Sequence, residues 1–131
     1  NVQEKNAQDE VRRLGGAEKD MEAARHQVLL DEGFLDADLS PGGEAQVSRA
    51  SERFAELLER THYPVPEVVF VSPLHRTLKT ALLLFPGHVT CIHALEFLRE
   101  KRTGLPCDER KPASEIHEDF PCVDISDIVR L

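Results

Sequence analysis

The chain has no tryptophan, and aromatic residues make up only 5% of its 131 residues, so any core it builds is aliphatic. It lacks a long apolar run as well. The longest, Ala81–Phe85, falls far short of the roughly 20 residues that a membrane-crossing helix needs. Positive charge is in deficit: 16 Lys and Arg stand against 24 Asp and Glu, a formal net charge of −8. That balance argues against a polyanionic partner, so neither nucleic acid nor a membrane surface is expected. The three cysteines, Cys91, Cys107 and Cys122, are widely spaced with no Cys-x-x-Cys pair, which signals neither a zinc site nor a disulfide framework. Reduced thiols in a cytoplasmic protein are the expectation. A glycine-rich cofactor fingerprint, a cluster of metal ligands and an internal repeat are all missing, so no cofactor and no metal are expected.

What remains is ordinary for a soluble domain: 40% hydrophobic and 31% charged residues, in a length that suits a single domain over 1–131. The chain is organised around Val68–Phe85. Val68–Val71 is a short β-branched and aromatic run, read as a strand buried on both faces. Ser72 sits where a helix N-cap belongs and Pro73 where the first helical residue belongs. Leu74, Leu78, Ala81, Leu82 and Phe85 then form one apolar stripe. A strand therefore feeds directly into a helix, with Arg76 just inside the helix N-terminus. The orphan N–H groups and partial positive charge of such a terminus suit an anion, and a guanidinium grips two phosphate oxygens at once.

Upstream, residues 1–38 are polar and weakly periodic, with a helix expected over Glu18–Leu30 and a turn at Asp36-Ala37-Asp38. Ser40 caps a helix that begins at Pro41 and runs to about Arg60, its apolar face formed by Val47, Ala50, Phe54, Leu57 and Leu58. Gly42 and Gly43 weaken that helix by about 1 kcal/mol each relative to alanine, so close packing against a pocket is expected to favour glycine there. Downstream, Pro86-Gly87 makes a turn and His88–Ile92 a second strand. Leu95–Glu100 brings Glu100 toward the site, residues 103–112 are loop, Ala113–Phe120 is a short helix, and Pro121–Leu131 is a tail that either packs over the site or leads on to further sequence.

Ser72–Ala81, Ser-Pro-Leu-His-Arg-Thr-Leu-Lys-Thr-Ala, resembles the second phosphate-pocket segment of the histidine phosphatase superfamily, the phosphoglycerate-mutase-like proteins. Leu39–Gln46 is similar to that family's Leu-Thr-x-x-Gly-x-x-Gln helix start, and Leu98–Gly104 to its segment carrying an acid. Pro106-Cys107-Asp108 and Phe120-Pro121-x-Val123-Asp124 resemble a eukaryotic and fungal-type branch, so the ordered matches span residues 39–124. Asn1–Asn6 resembles the segment on the C-terminal side of the family's Arg-His-Gly motif, which makes Asn1 its last residue and sets the nucleophilic histidine upstream of this chain.

The resemblance implies a three-layer α/β/α fold with a mostly parallel sheet, incomplete at both ends, of which these residues are the central portion. It implies phosphomonoester hydrolysis, or a mutase reaction, through a phosphohistidine. Arg76 grips the phosphate, Glu100 donates the proton with Glu96 as fallback, and Asn1 supports the pocket. Ser72 and Thr77 read first as helix-start residues, although either hydroxyl can donate to a bound phosphate. The expected partner is a phosphorylated small molecule or phosphopeptide. None of His26, His62, His75, His88, His93 and His117 has an Arg-His-Gly context, so the 131 residues alone are expected to be inactive. A non-catalytic phospho-ligand-binding protein is the alternative from another class.

Overall fold

A computed structural model describes residues 2–87, 91–100 and 103–129. The chain runs α1 (Val2–Arg13), α2 (Glu18–Leu29), α3 (Pro41–Thr61), β1 (Val68–Val71), α4 (His75–Leu84), β2 (Cys91–Ala94), α5 (Ala113–Asp119), β3 (Val123–Asp124) and α6 (Ser126–Val129). The three strands form a parallel sheet in the order β1-β2-β3, with Val68 opposite Cys91 and Ile92 opposite Val123. Parallel neighbours need crossovers, and α4 and the segment carrying α5 supply them. The expected α/β class with a parallel sheet holds.

The core lies on one face of that sheet. Leu78 and Ala81 of α4, Ile92 and Ala94 of β2, Ile116 and Phe120 around α5, Val123 of β3 and Ile128 of α6 pack together, with Val69 and Val71 against them. Strand side chains alternate, so Val68 and Phe70 point the other way. They are 43% and 61% exposed. The expectation that β1 is buried on both faces is thus corrected: among the described residues the helices cover one face only.

Three other expectations shift. The helix expected over Glu18–Leu30 is present as α2, but an unexpected helix, α1, precedes it in a hairpin closed by a double glycine. Gly15 adopts φ +76°, its N–H donates to Arg12 O at 3.0 Å, and Gly16 N–H donates to Val11 O at 2.9 Å. That pair of bonds is the Schellman stop, which satisfies the last carbonyls of α1. The described part of the tail, up to Val129, does not line the cavity; it adds β3 and α6 to the sheet and core, where Ile128 is 2% exposed. The second strand occupies Cys91–Ala94, and the part of it expected over 88–90 lies outside the described residues.

The long helix α3 starts as expected, with Ser40 Oγ accepting from Gly43 N at 3.1 Å and Pro41 in the first turn. Its packing face is narrower than the expected stripe. Val47, Phe54 and Leu58 are half-buried while Ala50 and Leu57 are exposed, and Phe54 meets Phe85 edge-on at 5.2 Å. A single helix, α4, lies against that face, so only about one row of side chains per turn finds a partner.

Candidate functional site

Helix α4 begins at His75, two residues later than the Ser-Pro pattern suggests. Ser72 Oγ is 3.5 Å from Leu74 N, and Leu74 takes the N-cap position without a side-chain cap of its own. The cap arrives from 39 residues upstream: Asp36 Oδ1 accepts from His75 N at 2.8 Å. Thr77 Oγ1 donates to the carbonyls of Ser72 and Leu74, each at 2.7 Å, and fixes the strand-to-helix corner. A long-range carboxylate thus replaces the local hydroxyl, which no sequence window registers. The positive end of the helix dipole faces this carboxyl group.

Asp36 also reaches the ring of His75. Nδ1 lies 2.7 Å from Asp36 Oδ2, and Nε2 lies 2.8 Å from Asp119 Oδ2 at the end of α5. Both ring nitrogens are thus taken up by carboxyl groups, one from each side. His75 is 5% and Asp36 2% exposed, and Phe120 meets the imidazole edge-on at 5.0 Å. Asp36 Oδ2 further accepts from Lys111 N at 3.0 Å, while Asp36 N donates to Pro106 O at 3.3 Å. Asp36 holds φ at +46°, a left-handed conformation that aspartate tolerates better than most residues. The His75 bond holds the Asp119 carboxyl below its ordinary range. One histidine therefore ties the turn before α3, the start of α4 and the end of α5, and its ring is engaged on both sides.

Immediately beside this clamp, Arg76 points into a cavity of about 520 Å³. Its Nη1 donates to Cys107 O at 2.7 Å, and its Nη2 lies 3.5 Å from Glu100 Oε2 and 3.8 Å from Asp108 Oδ1. Glu100 is mostly exposed whereas Asp108 is largely buried. Gln3 and Glu4 of α1, Arg25 and Leu29 of α2, the turn Ala37–Ser40 and Gly43 of α3 complete the wall. Arg25 Nε binds Glu4 Oε2 at 2.9 Å across the hairpin.

The segment that carries Glu100 and Cys107 is pinned by an ionic network. Arg99, 9% exposed, binds Glu96 at 2.7 Å, Glu109 at 3.1 Å and the Asp108 carbonyl at 2.7 Å, and Arg110 binds Glu96 at 2.7 Å. Burial acts to raise the Glu96 carboxyl, but the bonds from Arg99 and Arg110 outweigh it and hold the group below its ordinary range. Glu96 is therefore committed to structure. Asp38, at the cavity rim, behaves likewise: partial burial raises it, and the bonds from Lys79 at 2.8 Å and from Leu39 N at 2.7 Å together hold it below its ordinary range.

Of the residues singled out from sequence, the fold brings Arg76 and Glu100 to one cavity. Ser72 and Thr77 line a separate, shallow groove between β1 and α4, and their polar groups serve the corner. Asn1 lies outside the described residues. No described histidine lines the cavity. Sequence reasoning missed Arg25, Asp36 and Cys107 as parts of this region, and set His75 aside. The Asp-Ala-Asp turn was visible, but its pairing with His75 bridges 39 positions.

The family model for the histidine phosphatase superfamily (branch 1) matches residues 22–123. A phosphoglycerate mutase-like protein of Arabidopsis thaliana is 29% identical over 77% of this chain and 46% of its own length. The chain thus spans less than half of that relative. No solved structure matches.

Proposed function

Because the chain belongs to the histidine phosphatase superfamily, we propose that the protein containing it hydrolyses phosphomonoesters, with Arg76 gripping the phosphate and Glu100 protonating the leaving oxygen. The observation that carries this reading is the meeting of Arg76 and Glu100 in one cavity, 3.5 Å apart. An in-line displacement at phosphorus needs a cation on the equatorial oxygens and an acid at the leaving oxygen. Arg76 supplies the first; within the cavity it leans on Glu100, Asp108 and the Cys107 carbonyl. An entering phosphate takes over the guanidinium and leaves the exposed Glu100 beside the ester oxygen. The attacking imidazole, in this reading, comes from a segment outside these residues, and the reaction needs no metal.

Titration of the 131-residue chain with tungstate, a phosphate mimic, tests the reading. Binding followed by nuclear magnetic resonance is expected for the wild type and lost in Arg76→Ala. Turnover of p-nitrophenyl phosphate by this chain is expected to be nil. Arg76-dependent turnover would place the nucleophile within these residues and overturn that part of the proposal. The second reading is a phosphate-binding protein without turnover, which holds where the longer protein supplies no histidine to this cavity. Phosphate binding without hydrolysis by the longer protein would establish it.

A further inference from the structure

The uncovered face of the sheet carries a second cluster of reactive groups. Cys91 and His93, two residues apart on β2, point to the face opposite Ile92 and Ala94. Cys91 Sγ lies 3.0 Å from His93 Nε2. On the other side of the ring, His93 Nδ1 lies 2.9 Å from Oδ2 of Asp124, its register partner on β3. The ring of Phe70 on β1 stands 5.6 Å from the imidazole. Asp124 is itself held: its Oδ1 accepts from Ser126 N at 2.9 Å. The thiol, imidazole and carboxylate thus form a continuous chain, with a positioned base for the thiol proton and a third group orienting that base.

We propose that Cys91 is a reactive thiol, with His93 as its proton acceptor and Asp124 orienting the ring, and so a modification site for soft electrophiles and peroxides. Asp124 accepts a hydrogen bond from Nδ1–H, which keeps the proton on that nitrogen and leaves Nε2 as the acceptor facing sulfur. With iodoacetamide, the thiol proton passes to His93 Nε2, a sulfur lone pair forms the S–C bond, and iodide leaves with the C–I electrons. With hydrogen peroxide, sulfur attacks one oxygen and the O–O bond breaks. The thiol is oxidised by two electrons to a sulfenic acid, and the departing hydroxide takes the proton from His93 as water. The other two cysteines lack this arrangement. Cys107 sits beside Asp108 in the phosphate-side cavity, where burial first and the Asp108 charge second push its thiol up. Cys122 is simply exposed.

The test is competitive alkylation of the full 131-residue chain with limiting iodoacetamide at pH 7, with the three cysteine peptides quantified by mass spectrometry. Cys91 is expected to react about tenfold faster than Cys122 although it is less exposed, as a positioned proton acceptor would produce. His93→Gln is expected to bring Cys91 down to the Cys122 rate or below, and Asp124→Asn to slow it severalfold. Circular dichroism checks that each variant is folded. A wild-type Cys91 no faster than Cys122 overturns the proposal without any variant. So does a folded His93→Gln protein whose Cys91 reacts at the wild-type rate. Should His93→Gln fail to fold, the wild-type ratio and Asp124→Asn decide, and an unchanged Asp124→Asn rate counts against it.

Discussion

The α4 wall of the cavity and the α1–α2 wall each contribute a guanidinium, Arg76 and Arg25, and hold it differently. Arg76 follows His75 and precedes Leu78, residues that are 5% and 0% exposed, so the helix carrying it is anchored in the core and by three carboxylate contacts. Arg25 stands on a hairpin in which no described residue is buried, and its partner Glu4 belongs to the same hairpin. On the proposed reading, one fixed and one lightly anchored wall would hold the grip of Arg76 constant while the rest of the opening adjusts to what is attached. Local openings are drawn from segments with few buried apolar contacts, which here means α1 and α2.

Breaking the fixed wall should have the largest effect. His75→Ala removes the shared partner of Asp36 and Asp119 and leaves Asp36 buried without it. The expected cost is about 3–5 kcal/mol, the usual penalty for orphaning a buried ionic group. A urea melt measures it. Leu14→Ala on the hairpin, at a side chain 73% exposed, is the matched control and should change stability by less than about 0.5 kcal/mol. If the two variants melt alike, the contrast between the walls fails.

Acid should attack the same wall. Asp38, Glu96 and Asp119 all have carboxyls held below their ordinary range in the folded chain. A depressed folded value means that the stabilisation is present above the unfolded value, near about 4, and is lost as pH falls through the folded one. The urea midpoint should therefore fall steeply below about pH 4. Asp119→Asn should make that fall shallower, since the bond from His75 is the leading cause of its shift.

The contrast also separates the local signals of the sequence from those hidden by distance. The β1–α4 unit and the start of α3 are legible because their signals are local: a β-branched run, a stripe of helical period, and a Ser-Pro cap that the fold uses at Ser40. At Ser72 the same cap signal misleads, because Asp36 supplies the cap from a distance. Of the hairpin, α2 was legible over Glu18–Leu30, whereas α1 buries no stripe and left no period to read. Its one strong mark was Gly15-Gly16, which the fold uses as a Schellman stop. Strand β3 has only two residues and is defined by its neighbour, so no period exists to be read. Arg76 and Glu100 were found through a motif; His75 stood inside that motif but its partners did not.

Hydrogen exchange would sharpen the comparison with an effect of intermediate size. Amides of α2 should exchange through local opening, ahead of those in α4 around Leu78, which should exchange only on global unfolding. Equal protection in the two helices would show that the hairpin is anchored as firmly as the core. Addition of tungstate should then raise α4 protection at Arg76 more than protection along α1.

The smallest effects concern two glycines and differ in sign. At Gly16, behind the hairpin turn, an added Cβ would stand 2.4 Å from Val11 Cγ1 and 3.1 Å from Val11 O. Gly16→Ala should destabilise the hairpin by about 1 kcal/mol, because backbone as well as side chain must yield. At Gly42, in the first turn of α3, an added Cβ meets only Ser40 Oγ at 3.9 Å, and the backbone is helical. Close packing therefore does not account for glycine at 42, although Gly43 does line the cavity and a Cβ there would sit 3.4 Å from Leu39 Cδ2. Alanine at 42 fills open space and narrows the unfolded ensemble, so Gly42→Ala should stabilise the chain by about 0.4–1 kcal/mol. Thermal melts of the two variants should move in opposite directions, and tungstate affinity should stay constant in Gly42→Ala because its Cβ does not face Arg76. A loss of affinity there would mean that the first turn of α3 belongs to the adjustable wall, and that glycine at 42 serves its movement.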